Sequence, residues 1–405
     1  MGRSILWFRQ DLRLHDNEAL VEAISNSSEI IPVYIIDPHH THFSLHRIRF
    51  LLDSLADLRN QLRVFGSDLL IRMGAPDQIL YQLALDTKSQ WVYCNRERTR
   101  DEVEIQDKLE KKLWTIGAEL RYTRGKMLYY TLDLPFPVTQ CPDTFVAFRK
   151  EVEHFIPVRS PLDKPTIIPP LPAELEPGAI PDLSEIFIGK TQNSIGSFKG
   201  GETFGLDVLH QKLSHPKSAI LDNETVPLSP WISMGCISPK LVYHQSFSMV
   251  EGGEEIRQHL IYRDYLRLMG KKYGDQIFYK SGITGKKVSY IKDEGALKKW
   301  QQGNTGVDII DAAMHQLNKT GWMPDVLRKL TANYFINVLK LDWRLGASYF
   351  ESMLIDYDPC SNWVSWLNLA GLGPDSREDR TIHYDLAGKK LDPEGTYIMT
   401  WNKHA

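Results

Sequence analysis

The sequence predicts an α/β domain built on a parallel, helix-covered sheet, followed by an all-helical domain. Three observations carry this. Short β-rich apolar runs alternate with amphipathic segments up to residue 123, prolines crowd residues 155–188, and stripes at helical spacing dominate from residue 200 onward. A chain of 405 residues is also long enough for roughly two domains of about 150 residues each.

The strands are predicted in order at "ILWF" (5–8), "IIPVYII" (30–36), "DLLI" (68–71), "QWVY" (90–93) and "ELRYT" (119–123). Strands separated by helical stretches must cross over and run parallel. The segment "FLLDSLADLRNQLRVFG" sets Leu51, Leu55, Leu58 and Leu62 on one face and stops at Gly66, a helix-terminating residue. The pattern dissolves near Arg124, and "PTIIPPLPAELEPGAIP" reads as an extended connection. Beyond it, Val307, Ile310, Met314 and Leu317 form one helical stripe, and Leu327, Leu330, Tyr334 and Val338 another. Pro324 falls where a first helical turn tolerates it. The expected boundaries are 1–125 for the α/β domain, 126–199 for an extended linker and 200–405 for the helical domain.

Composition narrows the function only slightly. Ten tryptophans and seventeen tyrosines are the one marked excess, and a net charge of −3 gives no global case for nucleic acid. Cys94, Cys141, Cys236 and Cys360 form no CxxC pair, which suits plain thiols in a reducing compartment. The N-terminus has no basic region ahead of an apolar stretch, and no window reaches eighteen apolar residues, so the expectation is a cytoplasmic, soluble monomer. The phosphate loop and the GxGxxG fingerprint are both missing. The run "HHTHFSLH" offers His39, His40, His42 and His46, but no carboxylate stands at ligand spacing, so no metal is expected.

Two helices carry polar residues in an informative pattern. In "HLIYRDYLRLM" (259–269), His259, Tyr262, Arg263 and Leu266 share a face, which suits either a polar pocket floor or a solvated edge with Arg263 paired to an acid. In "TGWMPDVLRKLTANYF" (320–335), Asp325, Arg328 and Lys329 share a face, and Asp325 with Lys329 also fits a surface i, i+4 pair. Neither helix is specific alone.

Four longer blocks decide the weighing. "LWFRQDLRLHDNEAL" (6–20), "WQQGNTGVDIIDAAMHQLNKTGWM" (300–323), "LKLDWRLGASYFESMLIDYDPCSNW" (339–363) and "LDPEGTYIMTW" (391–401) resemble the photolyase/cryptochrome flavoproteins, in order and over nearly the whole chain. "GDQIFYKSGI", "DYDPCSN" and "AGLGPDSRE" make it most similar to the DASH cryptochromes. The resemblance implies a Rossmann-like N-terminal antenna domain and an all-α FAD-binding domain for blue-light electron transfer. It also implies a second antenna chromophore, a folate, a deazaflavin or a flavin, which no residue here selects.

Carried over by position, the resemblance puts Thr225, Leu228 and Ser229 at the FAD diphosphate and Arg263 at the flavin. Arg328 and Asp356 become a charged pair beside the ring, Asp358 a second acidic neighbour, and Asn362 the amide facing flavin N5. Trp366 and Trp343 match the first two members of an electron relay whose outermost position is Tyr290. Where repair enzymes hold a pyrimidine dimer, this chain departs from the pattern. His259 stands for glutamate, Tyr262 for tryptophan, Asp325 for asparagine, Val326 for arginine and Lys329 for methionine. Asn368 stands for an aromatic wall. Two readings stay open. One is light-driven repair of DNA, single- or double-stranded, with a changed pocket; the other is a blue-light sensor acting through a signalling protein.

Overall fold

The computed structural model describes residues 2–37, 43–186, 198–214, 227–249, 251–376 and 382–402. Five strands alternate with four helices at the start: β1 (Gly2–Phe8), α1 (Glu18–Asn26), β2 (Ser27–Ile36), α2 (Leu45–Val64), β3 (Leu70–Met73), α3 (Pro76–Thr87), β4 (Trp91–Asn95), α4 (Arg100–Trp114) and β5 (Glu119–Thr123). The sheet is wholly parallel, in the order β3-β2-β1-β4-β5. Both faces are covered, so β1, β2 and β4 read as nearly continuous apolar runs rather than alternations. Ile5, Trp7, Ile31, Val33 and Val92 pack on one side, and Leu6, Phe8, Ile30 and Tyr34 on the other. Pro32 lies opposite Leu6, one residue before the β2–β3 register opens at Val33–Leu70, so its missing N–H leaves no gap in the β3 ladder.

The strand order reverses between β1 and β4, whose C-terminal ends form the crevice where open α/β sheets usually receive a ligand. Here protein side chains occupy it. Asn95 Nδ2 donates to Asp11 Oδ2 at 2.5 Å, and the Arg9 guanidinium donates to Gln106 Oε1 at 3.0 Å and to the Asn95 carbonyl.

After β5 the chain is helical: α5 (Phe145–Phe155), α6 (Leu183–Ile186), α7 (Glu202–Ser214), α8 (Ser229–Met234), α9 (Pro239–Gln245), α10 (Gly253–Tyr273), α11 (Glu294–Gln302), α12 (Asp308–Thr320), α13 (Asp325–Asn333), α14 (Trp343–Met353), α15 (Pro359–Leu369), α16 (Tyr384–Leu391) and α17 (Thr396–Asn402). α5 lies inside the stretch expected to be extended. Thr144 caps it through the Ala147 N–H, and Phe148 and Val152 are buried under it.

One stripe ends differently from the periodicity. Leu327, Leu330 and Tyr334 are buried, but Val338 is 49% exposed. The chain passes from α13 into a π-helical turn at Tyr334–Val338, closed by Leu339 N–H to Tyr334 O at 3.1 Å. The extra residue per turn rotates Val338 off the core face.

The two parts share one core. Phe50 of α2 packs edge-on against Trp231 of α8 at 5.5 Å, and Glu202 of α7 accepts the Leu14 and His15 backbone N–H groups at 2.7 and 3.1 Å. No helix among the described residues is long and apolar enough to cross a membrane.

Candidate functional site

α10, α13, α14 and α15 converge on a buried charged face. Asp356 precedes α15 and is almost enclosed. Its Oδ2 accepts from Arg328 Nη2 at 2.8 Å and from Ser229 Oγ at 2.5 Å. Arg328 is itself anchored by Nε donation to Met323 O at 2.7 Å, and Trp322 Nε1 donates to Ser229 Oγ at 3.2 Å. The Ser229 hydroxyl expected at the diphosphate donates to Asp356, and its backbone N–H opens the first turn of α8, where a helix has no acceptor of its own for it. Leu228, the residue before α8, is buried. Thr225 lies outside the described residues.

The other Asp356 oxygen, Oδ1, is buried with no hydrogen-bond partner. An unsatisfied carboxylate oxygen costs roughly 1–3 kcal/mol or more. The site thus offers an acceptor that suits a ligand N–H or O–H, such as a flavin carries.

Asp358 is the N-cap of α15, accepting Ser361 N–H and Oγ at 2.8 Å each, while its Oδ2 pairs with Arg267. Burial opposes its charge, but Arg267, Arg263 and the Ser361 bonds outweigh burial and hold the carboxyl down to about 2. Arg267 reaches Glu97 Oε2 at 3.9 Å, and Glu97 also pairs with Lys126. Burial opposes the Glu97 charge as well, and Lys126, Arg9 and Arg267 hold it to about 2. Arg263, one turn before Arg267, donates to the Lys126 carbonyl at 2.9 Å. Arg263 is thus placed on the interior side of α10 rather than at a solvated edge.

Asn362 is buried on the next turn of α15, and its Nδ2 donates to Ala347 O at 2.9 Å. That bond fixes the carboxamide and leaves its oxygen as an acceptor. Trp366, one turn further, sits among Phe350 (5.2 Å), Phe335 (5.7 Å) and Trp300 (6.2 Å), all edge-on. Its six-membered ring also lies over Gly346, where a Cβ would stand 2.3 Å from Cη2. Trp343, three residues before Gly346 on α14, is fully buried and donates to Lys280 O at 3.4 Å. Tyr290 rests on the Lys280 ammonium at 5.2 Å. Trp343 has an edge-on ring neighbour at 5.7 Å, but it is Trp363.

Of the six positions of the expected pocket, five lie outward of this face, and Val326, half-buried on α13, packs against the core. Tyr262 packs edge-on against Phe145 at 4.9 Å and stacks on Tyr265 at 5.9 Å. Lys329 Nζ stands 5.9 Å from the Tyr262 ring and pairs with Asp325 at 2.6 Å, with both charged side chains about half exposed. His259 is exposed and within electrostatic reach of Asp325. Asn368 does not stand as a wall. Its Oδ1 accepts the Asp375 N–H at 3.2 Å, and Asp375 Oδ2 in turn accepts the Phe145 N–H at 3.1 Å. This small amide ties down the loop that holds Phe145 behind Tyr262.

Sequence reasoning missed Arg267, Trp363 and Gly346. Arg267 had a signal, since it follows Arg263 by four residues on the same helix. Gly346 had none, because a close ring approach across helices leaves no local trace. Of the four histidines weighed as ligands, His46 is buried in α2 with Nε2 near Asn318 O at 3.3 Å, and His39, His40 and His42 lie outside the described residues. No group of three or more His, Cys, Asp or Glu could hold a metal ion among the described residues.

Comparison with known proteins agrees with this architecture. Residues 4–170 match the family model described as DNA photolyase, and residues 256–404 match the FAD binding domain of DNA photolyase. The chain is 34% identical to the Arabidopsis thaliana protein named Cryptochrome DASH, chloroplastic/mitochondrial, over 99% of this chain and 75% of that one. The crystal structure of the Synechocystis sp. PCC6803 cryptochrome superposes with a TM-score of 0.92 at 33% identity, covering 99% of this chain and 88% of that one. An archaeal photolyase from Sulfolobus tokodaii, solved with two FAD molecules, gives 0.84 at 28% identity, covering 98% and 90%. With a parallel sheet, a helical FAD-binding domain and DASH cryptochromes among its relatives, the chain belongs to the photolyase/cryptochrome family.

Proposed function

We propose that this protein is a blue-light-driven flavoprotein that passes an electron from reduced FAD to a pyrimidine dimer in DNA, single- or double-stranded, with altered substrate preference. One observation carries the reading: the Asn362 amide is locked by Ala347 so that its oxygen is an acceptor on the same buried face as Asp356 and Arg328. An amide acceptor favours a protonated, reduced ring at N5, where a carboxylate would add charge. FAD, when bound, supplies the one-electron chemistry. The chain's part is to orient it with Asp356 Oδ1, Arg263 and Arg328, to set its protonation through Asn362, and to keep water out. Asp358 acts one layer back, fixing α15 and therefore Asn362. Trp366 and Trp343 lead away from this face into the protein.

Tyr262, backed by Phe145 and Tyr265, offers one stacking wall for a flipped base, a contact of about 1–3 kcal/mol. Lys329 neutralises Asp325, so the rim does not repel phosphate, and His259 is the proton donor of this reading. The second reading, a sensor acting through a signalling protein, is favoured by Asn368, which is engaged by the Asp375 loop and supplies no opposite wall. The four buried, free cysteines suit a cytoplasmic protein, and we take it to act as a monomer.

The second chromophore of this reading is a folate, a deazaflavin or a flavin. Extraction of pigment from the purified protein identifies it.

The central test is repair of cyclobutane dimers by purified, photoreduced protein under blue light, in single- and double-stranded DNA. Repair is expected. Intact dimers alongside normal photoreduction would replace this reading with the sensor. Asn362→Asp is expected to shift the flavin state that accumulates on illumination, and unchanged absorbance spectra would remove Asn362 from N5.

A further inference from the structure

A tyrosine ends an electron relay only if its phenolic proton has somewhere to go, because the neutral radical forms by loss of both an electron and a proton. The base must stand within hydrogen-bond reach. Three tyrosines flank the buried tryptophans, and their hydroxyls differ in this respect. The Tyr290 hydroxyl is buried with no hydrogen-bond partner. Tyr349, reached from Trp366 through Trp300, donates to Asn318 Oδ1 at 2.5 Å and lies 3.1 Å from Gln301 O, both amide oxygens that do not take up a proton. The Tyr357 hydroxyl oxygen and the Glu351 carboxylate accept from the same donor, Trp363 Nε1, which puts a carboxylate beside the phenol.

Trp363 connects that pair to the relay. Its ring stands 5.7 Å from Trp343 at an interplanar angle of 77°, and its Nε1 donates to Glu351 Oε2 at 3.1 Å and to the Tyr357 oxygen at 3.3 Å. Trp343 is fully buried, whereas Trp363 reaches partial exposure, so the order Trp366, Trp343, Trp363 runs from the interior toward solvent. We propose that Trp363, not Tyr290, takes the hole from Trp343, and that Tyr357 with Glu351 as its base ends the relay.

The step balances. One electron passes from Trp363 to oxidised Trp343, and one from Tyr357 to oxidised Trp363, while the Tyr357 proton moves to the Glu351 carboxylate. Tyr357 ends as a neutral radical beside a neutral acid, and the displaced electron stays with the flavin. Arg47, whose guanidinium lies 4.9 Å over the Tyr357 ring and is buried, disfavours a positive charge on that ring and so drives the proton off. At rest, burial and the nearby Glu351 hold the phenol well above its ordinary pKa, so it stays protonated until oxidised.

This inference rests on the flavoprotein reading above. The test is electron paramagnetic resonance of the flavin-loaded protein under blue light, with ordinary and ring-deuterated tyrosine. A radical whose spectrum narrows on deuteration is expected in the wild type and in Tyr290→Phe, and its loss is expected in Tyr357→Phe and Glu351→Gln. Both variants are nearly isosteric, and retained flavin absorbance shows that they fold. A tyrosyl signal that survives Tyr357→Phe and disappears in Tyr290→Phe overturns the proposal, as does a wild type that photoreduces its flavin with only an indole radical. A wild type in which illumination reduces no flavin overturns the electron-transfer reading itself, and this relay with it.

Discussion

α10 and α13 each carry one residue set toward the buried charged face and one toward the outer rim, and the two sets are built in opposite ways. On α10, Arg263 and Arg267 point inward while His259 and Tyr262 line the rim. On α13, Arg328 lies against Asp356 while Asp325 and Lys329 pair in the open. Inward, charges are enclosed and almost every one is matched: Asp356 is held by Arg328 and Ser229, and Asp358 by Arg267 and Ser361. Outward, the Asp325–Lys329 pair has side chains 55% and 51% exposed. A buried ion cannot drift in sequence without its partner, whereas an exposed pair is worth about 0–1 kcal/mol and is free to change. Substitution is therefore cheaper on the rim than on the buried face.

The sharpest way to break this contrast is Asp358→Asn. It strips Arg267 of its closest partner and should cost about 3–5 kcal/mol, read from the urea midpoint. Because Asp358 is held down to about 2, its contribution is complete above the ordinary value of 3.8 and fades as pH falls toward 2. The variant and the wild type should therefore converge in acid.

Asp264 tests the converse case, a buried acid whose pairing is incomplete. Burial pushes it up to about 6 against the opposing Arg263 charge and the Tyr129 and Leu128 N–H bonds. The folded chain then keeps a proton that the unfolded chain releases, so stability falls as pH rises from 3.8 through 6 and levels off above. Asp264→Asn should remove that fall, a gain of up to about 3 kcal/mol at neutral pH by linkage, seen in denaturation curves taken at several pH values.

Gly346→Ala drives a methyl group into the Trp366 ring. It should cost about 1–3 kcal/mol as overpacking and slow flavin photoreduction, measured by absorbance under blue light. The smallest effect belongs to the rim: Lys329→Met should change stability by less than about 1 kcal/mol while weakening affinity for DNA. A large stability loss there would erase the distinction between the two faces.

The sheet was legible because its strands are short apolar runs between helices, and all five lie within a few residues of the expected ranges. Their ends were less so: β2 begins at Ser27, since Ser27 and Ser4 pair through their hydroxyls at 2.7 Å, which no apolar pattern records. α5 was hidden by the prolines that follow it. Val338 was misplaced because a π-turn changes the period without changing the composition. The Arg328–Asp356 pair came from the resemblance, not from spacing, for the two lie on different elements. Arg267 and Trp363 escaped because their importance comes from what they touch across the fold.

Arg267 has a wider consequence. It is gripped by Asp358 on one side and lies 3.9 Å from Glu97 on the other, and Glu97 follows β4 in the sheet-bearing part of the chain. Cutting the gene near residue 200 would give two fragments with mismatched interior charge, neither suited to expression alone but suited to reassemble when produced together. Heredity should respect the same join: a descendant that loses the acid at 97 would be expected to lose the cation at 267 as well, so the two halves evolve as one unit.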